Sequence, residues 1–273
     1  QLFTYAQQGS SKFFAASLQG AYRGFYDHNI QADWVHIDDI GRYTTLYLPF
    51  PVMLTQEHAS RLCTWVEGGG TLIAEGCPGY WGDRGHVGTT QPNLGLDALF
   101  GVRESYVEFT PDILGDLEVR IGRTSAWGGL YLQAYTPTTG TPVGWYADGR
   151  VAAVENAYGR GRTRLVGTML GAGHSAHGDR PQVFRDLLDW AGVSPHVWIS
   201  DPRVIARLHD GEGGAYLWVA NPTRQPLPVR LRLAERWAGL GPGAPLWGAE
   251  ASREGDEIAM VAGARDVAVI PLR

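Results

Sequence analysis

Hydrophobic and polar residues alternate along the first half of the chain in a way that predicts strands and helices in turn. The apolar run LFTYA (residues 2–6) has the pattern of a buried strand. The next stretch places Phe14, Leu18 and Phe25 at helical spacing, and the short run ADWVHI (32–37) follows as a second strand. Together these segments predict a β-α-β unit.

A second strand–helix–strand unit follows. TTLYLPFPVML (44–54) is an apolar run, and Thr55 is suited to cap the helix TQEHASRLCTWVE before three glycines end it. TLIAEG (71–76) then has the pattern of another strand. This alternation predicts an α/β fold of the flavodoxin-like kind, with a parallel sheet and helices on both of its faces.

The rhythm changes in the middle of the chain. From Val102 to about Val154 the runs are short with period two, which predicts antiparallel hairpins inserted into the α/β unit. A further hairpin and the helix pattern RPQVFRDLLDWAGV lead to Pro195. We therefore predict one domain over residues 1–195, and a small antiparallel β-sandwich over 196–273 in which Trp218 belongs to the core.

The composition narrows the classes of partner that this chain is expected to bind. The chain has 273 residues, 44% of them hydrophobic and 19% charged, with a net charge of −5. These values fit a soluble globular protein and offer no basic stripe, so neither nucleic acid nor a membrane is expected as a partner. No cofactor motif is present. The chain begins with Gln1 inside an apolar segment, which suggests a piece of a longer polypeptide.

The order of segments resembles the non-catalytic C-terminal half of family 42 glycoside hydrolases, the β-galactosidases. The resemblance rests on residues 18–76, where a Y-x-x-L-x-x-P strand precedes a V-E-x-G-G-T-L-I corner. It continues through an N-x-Y-G-x-G-R turn at 156–162 and through the runs AYLWVANPT and DVAVIPLR.

This resemblance implies a trimerisation domain followed by a small C-terminal β-domain. In the family a (β/α)₈ barrel with both catalytic carboxylates precedes them, and too few βα repeats are present here to form such a barrel. The expected function is therefore oligomerisation and accessory support of a β-galactosidase-like enzyme. The implied partners are its own barrel or the sister subunits of a homotrimer, with galactosides as ligands and the bacterial cytoplasm as location.

Three residues are candidates for chemistry. The trimerisation domain resembles class I glutamine amidotransferases, which present a cysteine after a strand and a histidine later, as Cys77 and His174 are ordered here. Pro78 removes an N–H that an oxyanion hole needs, so packing is favoured for Cys77. Glu75 is the one carboxylate that suits an acid or base, and a structural role is favoured for it. We expect no catalytic residue, and a free-standing cysteine hydrolase remains the rival.

Aromatic residues carry the other expectation. Tyr80 and Trp81 follow the fourth predicted strand, and Trp127 and Tyr131 lie in the hairpins. Exposed rings there predict a protein interface or sugar contacts, so a carbohydrate-binding module is a third possibility. His174, His177 and Asp179 are residues of the metal-ligating type within one short segment, and His86 lies in another loop. A metal site is nevertheless not expected, because nothing in the sequence brings His86 to the other three.

Overall fold

A computed structural model describes residues 11–109 and 117–273. It divides into two units, one formed by the residues up to Gly24 with Asp33–Gly192, the other by Phe25–Ala32 with Val193–Arg273. The strand predicted at residues 2–6 lies outside the described residues. No helix of the described residues is long and apolar enough to cross a membrane.

The first unit combines five α-helices and nine strands of the described residues. The helices are α1 (Lys12–Tyr26), whose last two residues belong to the second unit, α2 (Gln56–Glu67), α3 (Leu96–Phe100), α4 (Leu170–Ala176) and α5 (Gln182–Ala191). The strands are β1 (Thr45–Leu48), β2 (Thr71–Ala74), β3 (Val102–Glu108), β4 (Glu118–Ile121), β5 (Thr124–Trp127), β6 (Leu132–Pro137), β7 (Thr141–Tyr146), β8 (Val151–Tyr158) and β9 (Gly161–Val166).

The main sheet is mixed. Its strand order within the described residues is β1-β2-β9-β8-β7-β4-β5, and only the β1–β2 and β2–β9 pairs are parallel. The α/β class is confirmed, and the antiparallel hairpins predicted in the middle of the chain are present, but they pair into the main sheet, which is therefore mixed where a parallel sheet was predicted. The physical reason is that β4–β5, β7–β8 and β8–β9 are joined by short turns, and such turns allow only antiparallel pairing. These hairpins extend the main sheet, while β3 and β6 pair separately.

The strand predicted at residues 32–37 is also wrong. The chain there is irregular and enters a 3₁₀ helix at Ile37–Arg42. His36 caps that helix, because its Nδ1 accepts a hydrogen bond of 3.4 Å from the backbone N–H of Asp38. Asp38 and Asp39 in the first turn further favour a helix here, because acidic side chains stabilise a helix N-terminus.

The helix prediction for residues 55–67 is confirmed. The Thr55 hydroxyl accepts a hydrogen bond of 3.1 Å from the N–H of His58, and Gly68 ends the helix. Ala59, Leu62 and Val66 share the buried face. They pack into a core with β2, α3 and β9, so the apolar stripe of α2 positions it on the parallel part of the sheet.

The second unit is antiparallel. Its strands are β10 (Val197–Ile199), β11 (Ile205–Gly211), β12 (Gly214–Asn221), β13 (Leu227–Leu233), β14 (Ala251–Glu254), β15 (Glu257–Ala262) and β16 (Asp266–Leu272). They form sheets of order β10-β13-β15-β14 and β11-β12-β16, which share one apolar core. Trp218 is exposed, so its predicted place in the core is wrong: Leu217 and Val219 on either side point inward, and strand alternation turns Trp218 outward.

Candidate functional site

Three apolar side chains form a row in the loops that follow β1 and β2. Met53 pairs with Trp81 through a parallel bridge, and Trp81 pairs with Val87 through an antiparallel bridge. Residues paired in this way project their side chains to the same side of the backbone. Met53 is 41% exposed and Val87 is 52% exposed, while Trp81 is half-buried. Met53, Trp81 and Val87 are called the Trp81 row below.

Backbone hydrogen bonds hold the two loops together beneath this row. The N–H of Trp81 donates to the carbonyl of Val52 at 2.9 Å, and the N–H of Leu54 donates to the carbonyl of Trp81 at 3.2 Å. The N–H of Gly79 donates to the carbonyl of Pro51 at 2.8 Å. The Trp81 row therefore lies on two loops that are hydrogen-bonded to each other, and these bonds fix the positions of its residues in the isolated chain.

Tyr80 and Tyr131 lie behind the row. The ring centroid of Tyr80 is 5.0 Å from that of Trp81, with the planes at 64°. Tyr131 is buried and stacks on Phe109 at 4.6 Å, and burial raises the pKa of its hydroxyl. Both tyrosines pack in the same cluster as Trp81, so the structure brings three of the four predicted aromatics together.

Trp127 belongs to a different group of residues. Its indole N–H donates to Asp179 Oδ1 at 2.7 Å, and its ring lies 4.7 Å from the ring of His177. The guanidinium of Arg180 lies 4.0 Å from the ring centroid. These contacts use ring surface that stacking on a sugar would require.

Glu75 anchors the loop that leads to Met53. The carboxylate is fully buried and accepts hydrogen bonds from the Tyr47 hydroxyl at 2.8 Å, the Phe50 N–H at 2.9 Å and the Gly171 N–H at 2.7 Å. Burial raises the pKa of Glu75 to about 7, and the three donors oppose that rise. One side chain thus ties the ends of β1 and β2 to the start of α4.

Cys77 is enclosed directly after β2. Its thiol is fully buried, and burial, reinforced by Glu104, raises its pKa well above the ordinary value, so the thiol stays protonated at neutral pH. Its backbone N–H donates to Gln133 Oε1 at 2.7 Å, and Gln133 Nε2 donates to Glu104 Oε2 at 2.6 Å. Burial of this kind suits packing rather than nucleophilic attack.

His174 lies on α4, where its ring meets the ring of Phe184 edge-on at 5.1 Å. Across the part of the chain that the structure describes, no group of three or more His, Cys, Asp or Glu side chains is arranged to hold a metal ion. His177 and Asp179 instead contact Trp127.

Sequence reasoning identified Trp81 but missed its partners in the row. Met53 and Val87 lie in loops without a period, so no pattern marks them as exposed apolar residues. Gln133 was missed as well, because a polar residue in a strand ordinarily indicates a solvent-facing position; here it is fully buried. Only the pairing of distant loops reveals these roles.

An exposed apolar row on a firmly anchored pair of loops is the kind of surface through which proteins commonly contact one another. The comparison with known families agrees with that class: the model of the β-galactosidase trimerisation domain matches residues 4–194. The chain belongs to this family. The resemblance drawn from the sequence to family 42 glycoside hydrolases is confirmed, as is its interpretation as an accessory oligomerisation region.

Curated relatives are much longer than this chain. β-Galactosidase BgaB of Geobacillus sp. is 29% identical over 157 residues, which cover 55% of this chain and 23% of that protein. β-Galactosidase LacA of Lactobacillus acidophilus is 23% identical over 220 residues, which cover 78% of this chain and 32% of that protein. The chain therefore spans a third or less of the curated relatives it matches.

Solved structures show the same fold. The β-galactosidase from Bacillus circulans sp. alkalophilus matches with a TM-score of 0.73 at 20% identity, covering 94% of this chain and 37% of that chain. The β-galactosidase from the haloarchaeon Halorubrum lacusprofundi matches with a TM-score of 0.64 at 24% identity, covering 94% of this chain and 36% of that one.

Proposed function

We propose that this chain is the assembly region of a β-galactosidase-type glycoside hydrolase and that it forms a homotrimer through the Trp81 row. The observation that carries the proposal is the position of this exposed apolar row inside the residues matched by the trimerisation family. A soluble chain gains free energy by covering such a surface, at about 25 cal/mol for each Å² of apolar area.

The residues behind the row support the same role. Glu75 and the backbone bonds between the loops fix Met53 and Trp81 in advance, so association costs less conformational entropy. Tryptophan and methionine are enriched at protein interfaces. The Trp81 row on its hydrogen-bonded loops is therefore better suited to contact between subunits than to the turnover of a substrate.

We further propose that the parent polypeptide carries its catalytic barrel outside this chain and works in the bacterial cytoplasm. The curated relatives are β-galactosidases of which this chain covers only 23% to 32%. Galactosides would then be substrates of the assembled parent.

A second candidate role for Tyr80 and Trp81 is direct contact with sugars. If they have this role, galactosides should quench the tryptophan fluorescence of the chain, and an unchanged spectrum would contradict it.

The parallel part of the sheet supports a flavodoxin-like, glutamine amidotransferase-like relationship for a domain over residues 1–195, with a separate sandwich domain over 196–273. β1, β2 and β9 are parallel neighbours, and Cys77 follows β2 with a φ of 57°. A non-glycine residue in this left-handed conformation is uncommon and suits a sharp turn after a strand. We propose that this chain keeps the turn and uses it for packing.

The trimer is tested by native mass spectrometry over a concentration series. We expect a trimer for the unaltered chain and a monomer for Met53→Glu, because the substitution places a charge in the apolar contact. The matched control is Val261→Glu, a residue of the second unit that is 54% exposed, and it should leave the trimer intact. An unaltered chain that stays monomeric at every concentration would refute the proposal.

A further inference from the structure

The outer face of the three-stranded sheet in the second unit carries a line of apolar side chains. Trp218 on β12 pairs with Val269 on β16, and Val269 pairs with Trp247 through an antiparallel bridge. Residues paired in this way project to the same face of a sheet. Trp218 is 42% exposed and Trp247 is 66% exposed. Trp218, Val269 and Trp247 are called the Trp218 platform below.

The platform lies on the side of the sheet that is turned away from the core. Leu217 and Val219 flank Trp218, and Ile270 follows Val269; these three neighbours are buried in the core of this unit. Because side chains alternate along a strand, Trp218 and Val269 point outward. Every residue of this unit is described, so the platform is exposed with the whole unit in place.

Trp247 is held in position although its segment is not a regular strand. The N–H of Val269 donates to the carbonyl of Trp247 at 2.9 Å, and the N–H of Leu246 donates to the carbonyl of Val269 at 2.8 Å. Gly248 follows with a φ of 75°, and a Cβ there would lie 2.4 Å from the carbonyl oxygen of Val267. Only glycine fits this turn without a shift, so backbone contacts fix Trp247 before any ligand binds.

The platform is small and elongated. Neighbouring strands lie about 4.8 Å apart, so the backbones of Trp218 and Trp247, with Val269 between them, are about 10 Å apart. Val267 and Leu246 add further exposed apolar side chains beside it. This surface still has far fewer residues than the roughly 20–30 a side that a stable protein interface uses. It is therefore better matched to a slender ligand than to a folded partner.

His209 adds a polar group beside the platform. It lies on β11, and its ring centroid is 5.7 Å from that of Trp218. The residue is exposed, and an imidazole can donate or accept a hydrogen bond. An aromatic surface with a hydrogen-bonding group at its edge suits a ligand that is apolar on one face and hydroxylated around its rim.

Galactosides have this chemistry. In galactopyranose the axial O4 leaves the hydrogens of C3, C4 and C5 together on the opposite face, which is therefore apolar. An indole ring can stack on that face while the hydroxyls at the edge of the sugar reach a group such as His209. Because one sugar ring cannot cover two indoles about 10 Å apart, the platform favours an oligosaccharide.

We propose that the Trp218 platform binds oligosaccharides of β-linked galactose, with one sugar stacked on each indole. The class of sugar rests on the β-galactosidase parent proposed above, whereas the site rests on the geometry of the second unit. The platform would hold an oligomeric galactoside on the same polypeptide as the proposed barrel and so raise its local concentration there. It performs no chemistry itself.

Isothermal titration calorimetry of this chain with β-1,4-galactotetraose, galactose and cellotetraose tests the site. Galactotetraose should bind more tightly than galactose by roughly 10-fold or more, because sugars on one molecule engage both indoles. Cellotetraose, whose O4 atoms are equatorial, should bind more weakly than galactotetraose. Equal or tighter binding of cellotetraose would overturn the assignment to galactosides.

Two variants each remove one ring of the platform. Trp218→Ala and Trp247→Ala should both lose the advantage of galactotetraose over galactose, with roughly 10-fold weaker binding of the tetrasaccharide. Trp34→Ala is the matched control, because Trp34 is an exposed tryptophan of the first unit, and it should bind like the unaltered chain. Circular dichroism checks that the variants are folded. Binding that survives unchanged in both platform variants would overturn the site.

Native mass spectrometry of the same samples separates this proposal from the proposed trimer. A trimer that binds none of the three sugars overturns the platform and leaves the assembly function in place. A monomer that binds galactotetraose through both tryptophans supports the platform and contradicts the trimer. A face that packs against the parent's barrel or a second copy would give no sugar binding, and loss of the trimer in Trp247→Glu would identify the second copy. Either result overturns the platform.

Discussion

The two units bury polar side chains to very different extents. Of the eleven buried polar or charged residues in the described chain, ten belong to the first unit and only Asn221 to the second. In the second unit β13 alternates strictly, with Leu227, Val229, Leu231 and Leu233 buried and the residues between them exposed. There a simple apolar pattern specifies the sheet. In the first unit, specific donors and acceptors position the loops beneath the Trp81 row.

This difference teaches where single substitutions should matter most. A buried acceptor surrounded by donors cannot be removed without leaving those donors unsatisfied, and each unsatisfied group costs about 1–3 kcal/mol. An exposed residue of the alternating sheet can be exchanged at a cost within about 0.5 kcal/mol. Substitutions at the polar residues of the first unit test this contrast.

The largest effect is expected at Glu75. Glu75→Ala would leave the donors of Tyr47, Phe50 and Gly171 without their acceptor, and it should lower the free energy of unfolding by about 3–5 kcal/mol. Urea denaturation measures the loss. Glu57→Ala is the matched control: Glu57 is an exposed carboxylate on α2, paired with Arg61, and the change should cost less than about 1 kcal/mol. Equal losses for both variants would contradict the anchoring role.

The next effect is a dependence of stability on pH. Burial raises the pKa of Glu75 from the ordinary 4.5 to about 7, so between these values the folded protein holds a proton that the unfolded chain has released. Its contribution is complete below about pH 4.5 and is lost as pH rises through 7, with a total of about 3 kcal/mol.

Glu75→Gln isolates this contribution. The amide does not titrate, so the difference in unfolding free energy between the unaltered chain and this variant should change across the pH window and be constant outside it. Urea denaturation at a series of pH values gives the two curves. Parallel curves would show that Glu75 does not titrate in this range.

The smallest effect concerns the cysteines. Cys77 is fully buried, whereas Cys63 is only partly buried, and burial raises the pKa of Cys77 further. A thiol reagent at neutral pH should therefore modify Cys63 before Cys77, which should react only after unfolding. Peptide mapping of the labelled protein measures the order.

Cys77→Ala accompanies that experiment. Loss of the buried sulfur should cost about 1–2 kcal/mol and leave the proposed trimer unchanged, because the thiol is fully buried within the cluster that contains Trp81. Selective labelling of Cys77 in the native protein would instead support the rival interpretation as a cysteine hydrolase.

Local patterns predicted most elements that carry their own signal. The cap at Thr55 and the apolar face of α2 marked that helix, and the apolar run of β2 marked that strand. The strand predicted for residues 32–37 was wrong. Trp34 and Val35 are residue types common in strands, but His36 and the two aspartates after it cap and begin a 3₁₀ helix. Alternation in β12 was visible, yet the direction of Trp218 depended on which face met the core.

The site was less predictable than the fold. Trp81 and Tyr80 were selected because aromatic residues at the carboxyl edge of a sheet commonly meet ligands or partners. Trp127 was selected for the same residue type, but its ring is engaged by His177 and Arg180. Residue type therefore indicated candidates, and burial and contacts separated them.

The sequence by itself determined the α/β beginning, the antiparallel end and membership of the trimerisation family. These features depend on short-range periodicity, capping residues and a characteristic order of motifs, all of which are local properties of the chain. The tertiary structure decided that the hairpins join the main sheet, that Glu75 and Gln133 are buried, and that Met53, Trp81 and Val87 form one surface. These outcomes depend on contacts between residues distant in sequence, which no local pattern encodes.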